Sequence, residues 1–288
     1  MDPAESSRRA LEEIERLAAG RPASGSPDGS ASGSPAGDAP AVARPSTYAA
    51  ATKSATYGFL ASLPLFVLYE VGVLLATGGT GAIRVGADVW LKTLLAALGG
   101  TGWAALGAAV FVIGAGVMWA ERRRRPPLVG RWFGYLIAES LVYAVVLAFV
   151  VGGAVGALFG VWATPAAMLA QQVSQMGLGL QLALSIGAGL YEELVFRVLL
   201  VGGLFLAGYR LFGWQRRTAY IVAAVAGAVV FSAVHHTGPF GDPFTLPVFT
   251  FRFLFGLALN GVFLLRGFAV AAWTHALYDV LVVTGSLS

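Results

Sequence analysis

From Tyr57 to the end, the chain alternates long apolar runs with short polar breaks. The first run, 57–77, reads YGFLASLPLFVLYEVGVLLAT and carries only Pro64 and Glu70 as interruptions. A hydrocarbon core of roughly 30 Å takes about 20 apolar residues of helix, so this run predicts a membrane span. Residues 82–98 place Arg84, Asp88 and Lys92 among apolar neighbours and predict an interfacial or re-entrant helix. Further spans are predicted over 101–120, 132–160, 218–236, 246–265 and 268–285. The run 177–213 is too long for one straight span at 1.5 Å per residue. It must tilt, kink or break, and Gly202–Gly203 is the weak point in it. Gly152, Gly156 and Gly160 recur every four residues, a spacing that lets a neighbouring backbone approach and predicts packing rather than chemistry.

The pattern predicts an all-α polytopic membrane helix bundle with about seven or eight transmembrane helices. Its N-terminal helices occupy 55–170 and a second helical part occupies 177–285. Residues 1–48 are different in kind. Rich in Pro, Gly, Ser and Asp, with room for a short amphipathic helix only around 6–20, they predict a disordered tail. The tail lacks the basic start and apolar centre of a signal peptide, so it is expected uncleaved and in the cytoplasm.

Composition agrees: 57% of residues are hydrophobic and 12% charged, with a mean hydropathy of +0.74. An integral membrane protein is expected, with the lipid bilayer as its main solvent. Lys and Arg outnumber Asp and Glu by 19 to 15, but the basic residues lie in short runs between spans. ERRRRPP at 121–127, Arg216–Arg217 and Arg266 therefore predict cytoplasmic loops, not a nucleic-acid surface. With no cysteine in the chain, disulfides, thiol nucleophiles, iron–sulfur clusters and cysteine-bound zinc are excluded.

Ionisable groups in hydrocarbon are costly, about 2.5 to 3.5 kcal/mol each on insertion scales, and three clusters of them stand out. In YEELVFR, 191–197, Glu193 and Arg197 are four residues apart and share a helical face, whereas Glu192 is turned about 100° away. Arg197 can neutralise and orient Glu193, as a structural bridge. Glu192 is left without a partner on its own helix, and a desolvated, unpaired carboxylate is suited to be a general base. The second cluster, FSAVHHTGP at 231–239, sets His235 four residues after Phe231 and ahead of a Gly-Pro break. In the third, THALYD at 274–279, His275 and Asp279 share a face. A carboxylate and two histidines on separate helices could activate water and stabilise an oxyanion. Elsewhere, His236 is expected to be a satisfied interfacial side chain, and Arg252 and Asn260 to form interhelical hydrogen bonds. Glu70 and Glu139 are expected to pair with a tyrosine or backbone group, or to belong to a second polar pathway.

At these residues the chain resembles the CPBP family, also called the Abi or CAAX-protease family, of intramembrane glutamic endopeptidases. The family pattern EExxxR, FxxxH, HxxxN/D reads here as Glu192-Glu193-LVF-Arg197, Phe231-SAV-His235 and His275-ALY-Asp279, in that order, within about 177–285. The resemblance implies that Glu192 and His235 polarise the attacking water. It further implies that Glu193 and Arg197 hold the site geometry, that His275 and Asp279 face the developing oxyanion, and that no cofactor or metal takes part. An asparagine at 279 would donate to an oxyanion, whereas Asp279 must be protonated to do so or must instead orient His275. The implied substrate is a membrane-anchored protein or peptide: a prenylated CAAX tail, a bacteriocin, a signalling peptide or a sorting tail. The implied location is the bacterial inner membrane. Alternatives are a zinc-dependent membrane hydrolase using Glu and two His, although no HExxH occurs, and a serine hydrolase using Ser232, without a GxSxG context. A transporter relay through Glu70, Glu139, Glu192 and the histidines, or a non-catalytic scaffold, would use the same polar cluster without cleavage.

Overall fold

The structure is a computed structural model that describes residues 47–100, 102–160, 176–238 and 241–287. The tail expected over 1–48 lies outside the described residues except for its last two. The described chain is helical throughout, in the order α1 (Tyr48–Thr52), α2 (Ala55–Ala76), α3 (Gly86–Ala97), α4 (Gly102–Ala120), α5 (Gly130–Phe159), α6 (Leu178–Gly187), a π-helical segment π1 (Ala188–Val201), α7 (Gly202–Arg210), α8 (Arg216–Val234), α9 (Leu246–Arg266) and α10 (Phe268–Val283). Four of these, α2, α5, α8 and α9, are long and apolar enough to cross a membrane. Two shorter apolar helices, Ala105–Ala120 and Phe268–Val283, accompany them. Phe111, Phe149, Val150 and Leu75 project outward with at least 60% of their surface exposed, as side chains solvated by lipid should. The chain is an integral membrane helix bundle.

Helix ends follow local chemistry. Ser54 caps α2 by accepting from the Tyr57 amide at 3.2 Å. Glu121, from the arginine-rich loop, accepts from the amides of Ala55 and Thr56 at 2.9 Å each, satisfying two more orphan donors of the first turn. Thr245 caps α9 with Pro247 in the first turn. Gly160 ends α5 in the left-handed region, φ 65°, so the last glycine of the 152–156–160 repeat is a helix terminator and not a packing position.

The helix α10 is the inner post, packing against α2, α5, α6, π1 and α9. Its Ala269, Ala271 and Ala272 have no exposed surface, and such small side chains let backbones come close. Gly189 of π1 needs that closeness: a Cβ there would lie 2.5 Å from the Ala272 carbonyl oxygen and from the Ala276 amide nitrogen. The expected break in 177–213 takes the form of a change in winding. Here α6, π1 and α7 run on as one helical stretch, with i→i+5 turns between Ala188 and Val201 and α-helical turns resuming at Gly202.

Candidate active site

The three motif clusters meet at one cavity of about 570 Å³, lined by Glu192, Phe231, His235, His275 and Asp279. Segment π1 brings Glu192 and Glu193, α8 ends on His235, and α10 presents His275 one turn before Asp279.

Glu192 and His235 face each other with Oε2 and Nε2 3.5 Å apart, too far for a good hydrogen bond. His235 Nδ1 lies 2.6 Å from the Phe231 carbonyl. A carbonyl only accepts, so Nδ1 carries a proton, and in the neutral tautomer Nε2 then turns its lone pair toward Glu192. Glu192 Oε2 is buried without a hydrogen-bond partner. A water seated beside this pair, on the cavity side, can donate to Glu192 Oε2 and reach Nε2.

Glu193 has two partners. Arg197 places Nε 3.0 Å from Glu193 Oε2, the expected bridge, preserved although the segment is π-wound. Across to α10, His275 Nδ1 lies 2.8 Å from Glu193 Oε1, a contact between residues 82 apart that no local spacing reveals. With Nδ1–H donated to Glu193, His275 Nε2 is the ring atom on the side of Asp279, whose Oδ2 is 3.6 Å away. Both Glu193 and Arg197 are essentially without exposed surface. The Arg197 guanidinium lies 4.5 Å from the centre of the Phe231 ring. Phe231 also meets His235 and His275 edge-on, at 4.6 and 6.1 Å between ring centres. It spaces both histidines and the arginine from one position.

A second layer holds the turn after His235. The Asp242 amide donates to the His235 carbonyl at 2.8 Å, the Asp242 carbonyl accepts from His236 Nδ1 at 3.1 Å, and the Asp242 carboxylate pairs with Arg252. Arg252 itself lines the cavity. Asp242 escaped the sequence reading because its partner lies on the following helix. Asn260 makes the expected interhelical bond, donating to the Ala224 carbonyl at 2.9 Å. Ser232 is buried and donates to the Phe249 carbonyl at 2.7 Å, so its hydroxyl is occupied away from either histidine.

Glu70 and Glu139 stand apart from the motif residues. Glu70 accepts from Arg84 at 3.0 Å, Lys92 at 2.6 Å and the Tyr191 hydroxyl at 3.1 Å. Asp88 meets the same two cations at 3.0 and 2.9 Å and accepts from Tyr69 at 2.8 Å. This quartet fixes α3, whose N-terminal half forms one wall of the cavity through Val89 and Trp90. Glu139 accepts from Tyr48 at 2.6 Å and from Arg266 at 2.5 and 2.8 Å. Among the described residues no three His, Asp or Glu side chains converge as a metal-ligand set.

Residues 173–281 match the family model described as type II CAAX prenyl endopeptidase Rce1-like. The matched stretch contains all seven motif residues. No curated protein and no solved structure matches the chain.

Proposed function

We propose that this chain, which over residues 173–281 belongs to the Rce1-like family of type II CAAX prenyl endopeptidases, hydrolyses a peptide bond of a membrane-associated protein or peptide by a glutamic mechanism. The 177–285 stretch is its catalytic core, and the helices of 55–170 wall and brace it. It resides in a bacterial inner membrane with its N-terminus in the cytoplasm.

The observation that carries the reading is Glu192 Oε2, buried without a hydrogen-bond partner and 3.5 Å from His235 Nε2 at the cavity wall. A water beside the pair, on the cavity side, is aimed by both. As it attacks the scissile carbonyl its proton passes to this pair, which later returns it to the leaving amine. Charge developing on the carbonyl oxygen is met by His275. Its Nδ1–H is held by Glu193 at 2.8 Å, which stabilises the imidazolium whose Nε2–H faces the oxyanion. Asp279, at 3.6 Å from Nε2, favours that cationic form and orients the ring. Glu193 is thereby a positioning residue for His275 as well as the partner of Arg197.

The test is purified wild type, Glu192→Gln, Glu193→Gln and His235→Ala in detergent, incubated with membrane proteins of the parent cell, with new termini read by mass spectrometry. Termini made by wild type and lost in folded Glu192→Gln and His235→Ala are expected. Equal cleavage by Glu192→Gln would remove that residue from the mechanism.

A further inference from the structure

The helix ends sort into two groups by contact. At one end, Glu121 bonds the first turn of α2, and Tyr57 bonds the Pro127 carbonyl and the Val129 amide. Arg266 reaches the Ala49 carbonyl, Thr52 and Glu139 there. Tyr220, early in α8, donates to the Asn260 carbonyl, late in α9, at 2.6 Å, so the start of α8 adjoins the end of α9. This end carries Lys53, the Arg122–Arg125 run, Arg131, Arg210, Arg216–Arg217 and Arg266, and all but Arg266 are exposed.

The cavity lies at the opposite end. His235 closes α8, Arg252 is in the second turn of α9, Asp279 is in the last turns of α10, and Gln181 and Ser185 on α6 line the same space. The described connections at this end, 77–85, 98–100, 176–177, 235–238, 241–245 and 284–287, hold a single Lys or Arg among them, Arg84, and the sequence between α5 and α6, 160–177, contains none. Arg84 is neutralised by Glu70 and Asp88. Lys92 and Arg252, the other cations of this end, are likewise each paired with an acid.

Short loops rich in Lys and Arg stay in the cytoplasm, and the asymmetry here is close to complete. We propose that the catalytic cavity opens on the extracytoplasmic side of the membrane, and that the substrate is a peptide segment lying at the outer boundary of the bilayer. A lipidated tail that remains in the cytoplasm meets the arginine-bearing end and not the cavity. The lining suits an outer juxtamembrane segment. Trp90, Phe196 and Phe255 offer apolar surface beside Glu192 and His275, so a chain leaving lipid can keep its apolar residues covered while its scissile bond reaches water. The substrate half of this inference rests on the peptidase reading, and the orientation half does not.

The chain has no cysteine, so single cysteines report topology without background. Thr237→Cys and Ser286→Cys mark the cavity end and Gln215→Cys the arginine end, all at exposed positions. The full-length variants are treated in intact cells, with the outer membrane opened where there is one, using a charged, membrane-impermeant maleimide, and again after the inner membrane is permeabilised. Thr237→Cys and Ser286→Cys should label in intact cells, and Gln215→Cys only after permeabilisation. Labelling of Gln215→Cys in intact cells overturns the proposal, and so does failure of both cavity-end cysteines to label before permeabilisation. Cleavage plays no part in this readout. A dead enzyme with the expected labelling removes the peptidase reading and the substrate half with it, whereas a reversed pattern removes the orientation and leaves peptidase activity intact.

Discussion

Two buried groups of charges lie within one turn of each other along π1, and they are built in opposite ways. Around Glu70 and Asp88, two acids meet two cations, each acid within 3.0 Å of both, and Tyr69 and Tyr191 add their hydroxyls. Around Glu192 and His235, the closest approach is 3.5 Å. The first arrangement compensates its charges internally and holds α3 in place. The second leaves capacity unspent at a cavity wall, where a substrate or water can use it. Pairing, more than the mere presence of charge in a membrane, separates a brace from a reaction centre.

This contrast can be broken from either side. The largest effect belongs to the Glu192–His235 pair: Glu192→Gln or His235→Ala should lower kcat/KM by roughly 10²–10⁴-fold while the melting transition in detergent barely moves. The reverse outcome belongs to the brace. Glu70→Ala leaves Asp88 alone to compensate both Arg84 and Lys92 and should cost on the order of 2–3 kcal/mol of stability, less than a fully buried pair because both cations keep some contact with solvent. Thermal unfolding reads it, and a loss of activity without a loss of stability would erase the distinction. Between these lies the Asp242 latch. Asp242→Asn or Arg252→Gln should lower kcat about tenfold with little change in KM, since a slightly misplaced His235 costs rate before binding. The smallest effect is Ser232→Ala, which should leave cleavage near wild type and cost about 1 kcal/mol of stability for the lost bond to Phe249.

What could be read in advance was what is local along the chain. EExxxR, FxxxH and HxxxD each span five or six residues, so their clustering on three helices was visible, and the meeting of those helices is where the cavity lies. The spacing of Arg84, Asp88 and Lys92 likewise marks one helical face, but their counterpart Glu70 belongs to the preceding helix. Contacts made by tertiary packing left no such trace, as with His275 to Glu193 and Asp242 to Arg252. Winding was equally hidden, because Glu193 and Arg197 are neighbours in α- and π-helix alike. Glycine spacing misled in part. The regular repeat ends on the terminator Gly160, while close approach is demanded at Gly187, against the Tyr69 ring, and at Gly189, against α10, positions that form no four-residue repeat.

The knot at Glu139 bears on how the protein is made. The ribosome delivers Glu139 within a membrane span 127 residues before Arg266, so during synthesis this carboxylate enters the bilayer ahead of its cation, with Tyr48 already made as a donor to it. In the folded bundle burial first, and then the neighbouring acid, raise the Tyr48 hydroxyl above its ordinary pKa, so the phenol stays a donor there. Arg266 arrives at the end of α9 and binds Glu139, Ala49 and Thr52 together, stitching the first described helix to the ninth. A chain stalled before residue 266 therefore holds this acid without its counter-charge, and the knot closes only when the end of α9 is in place.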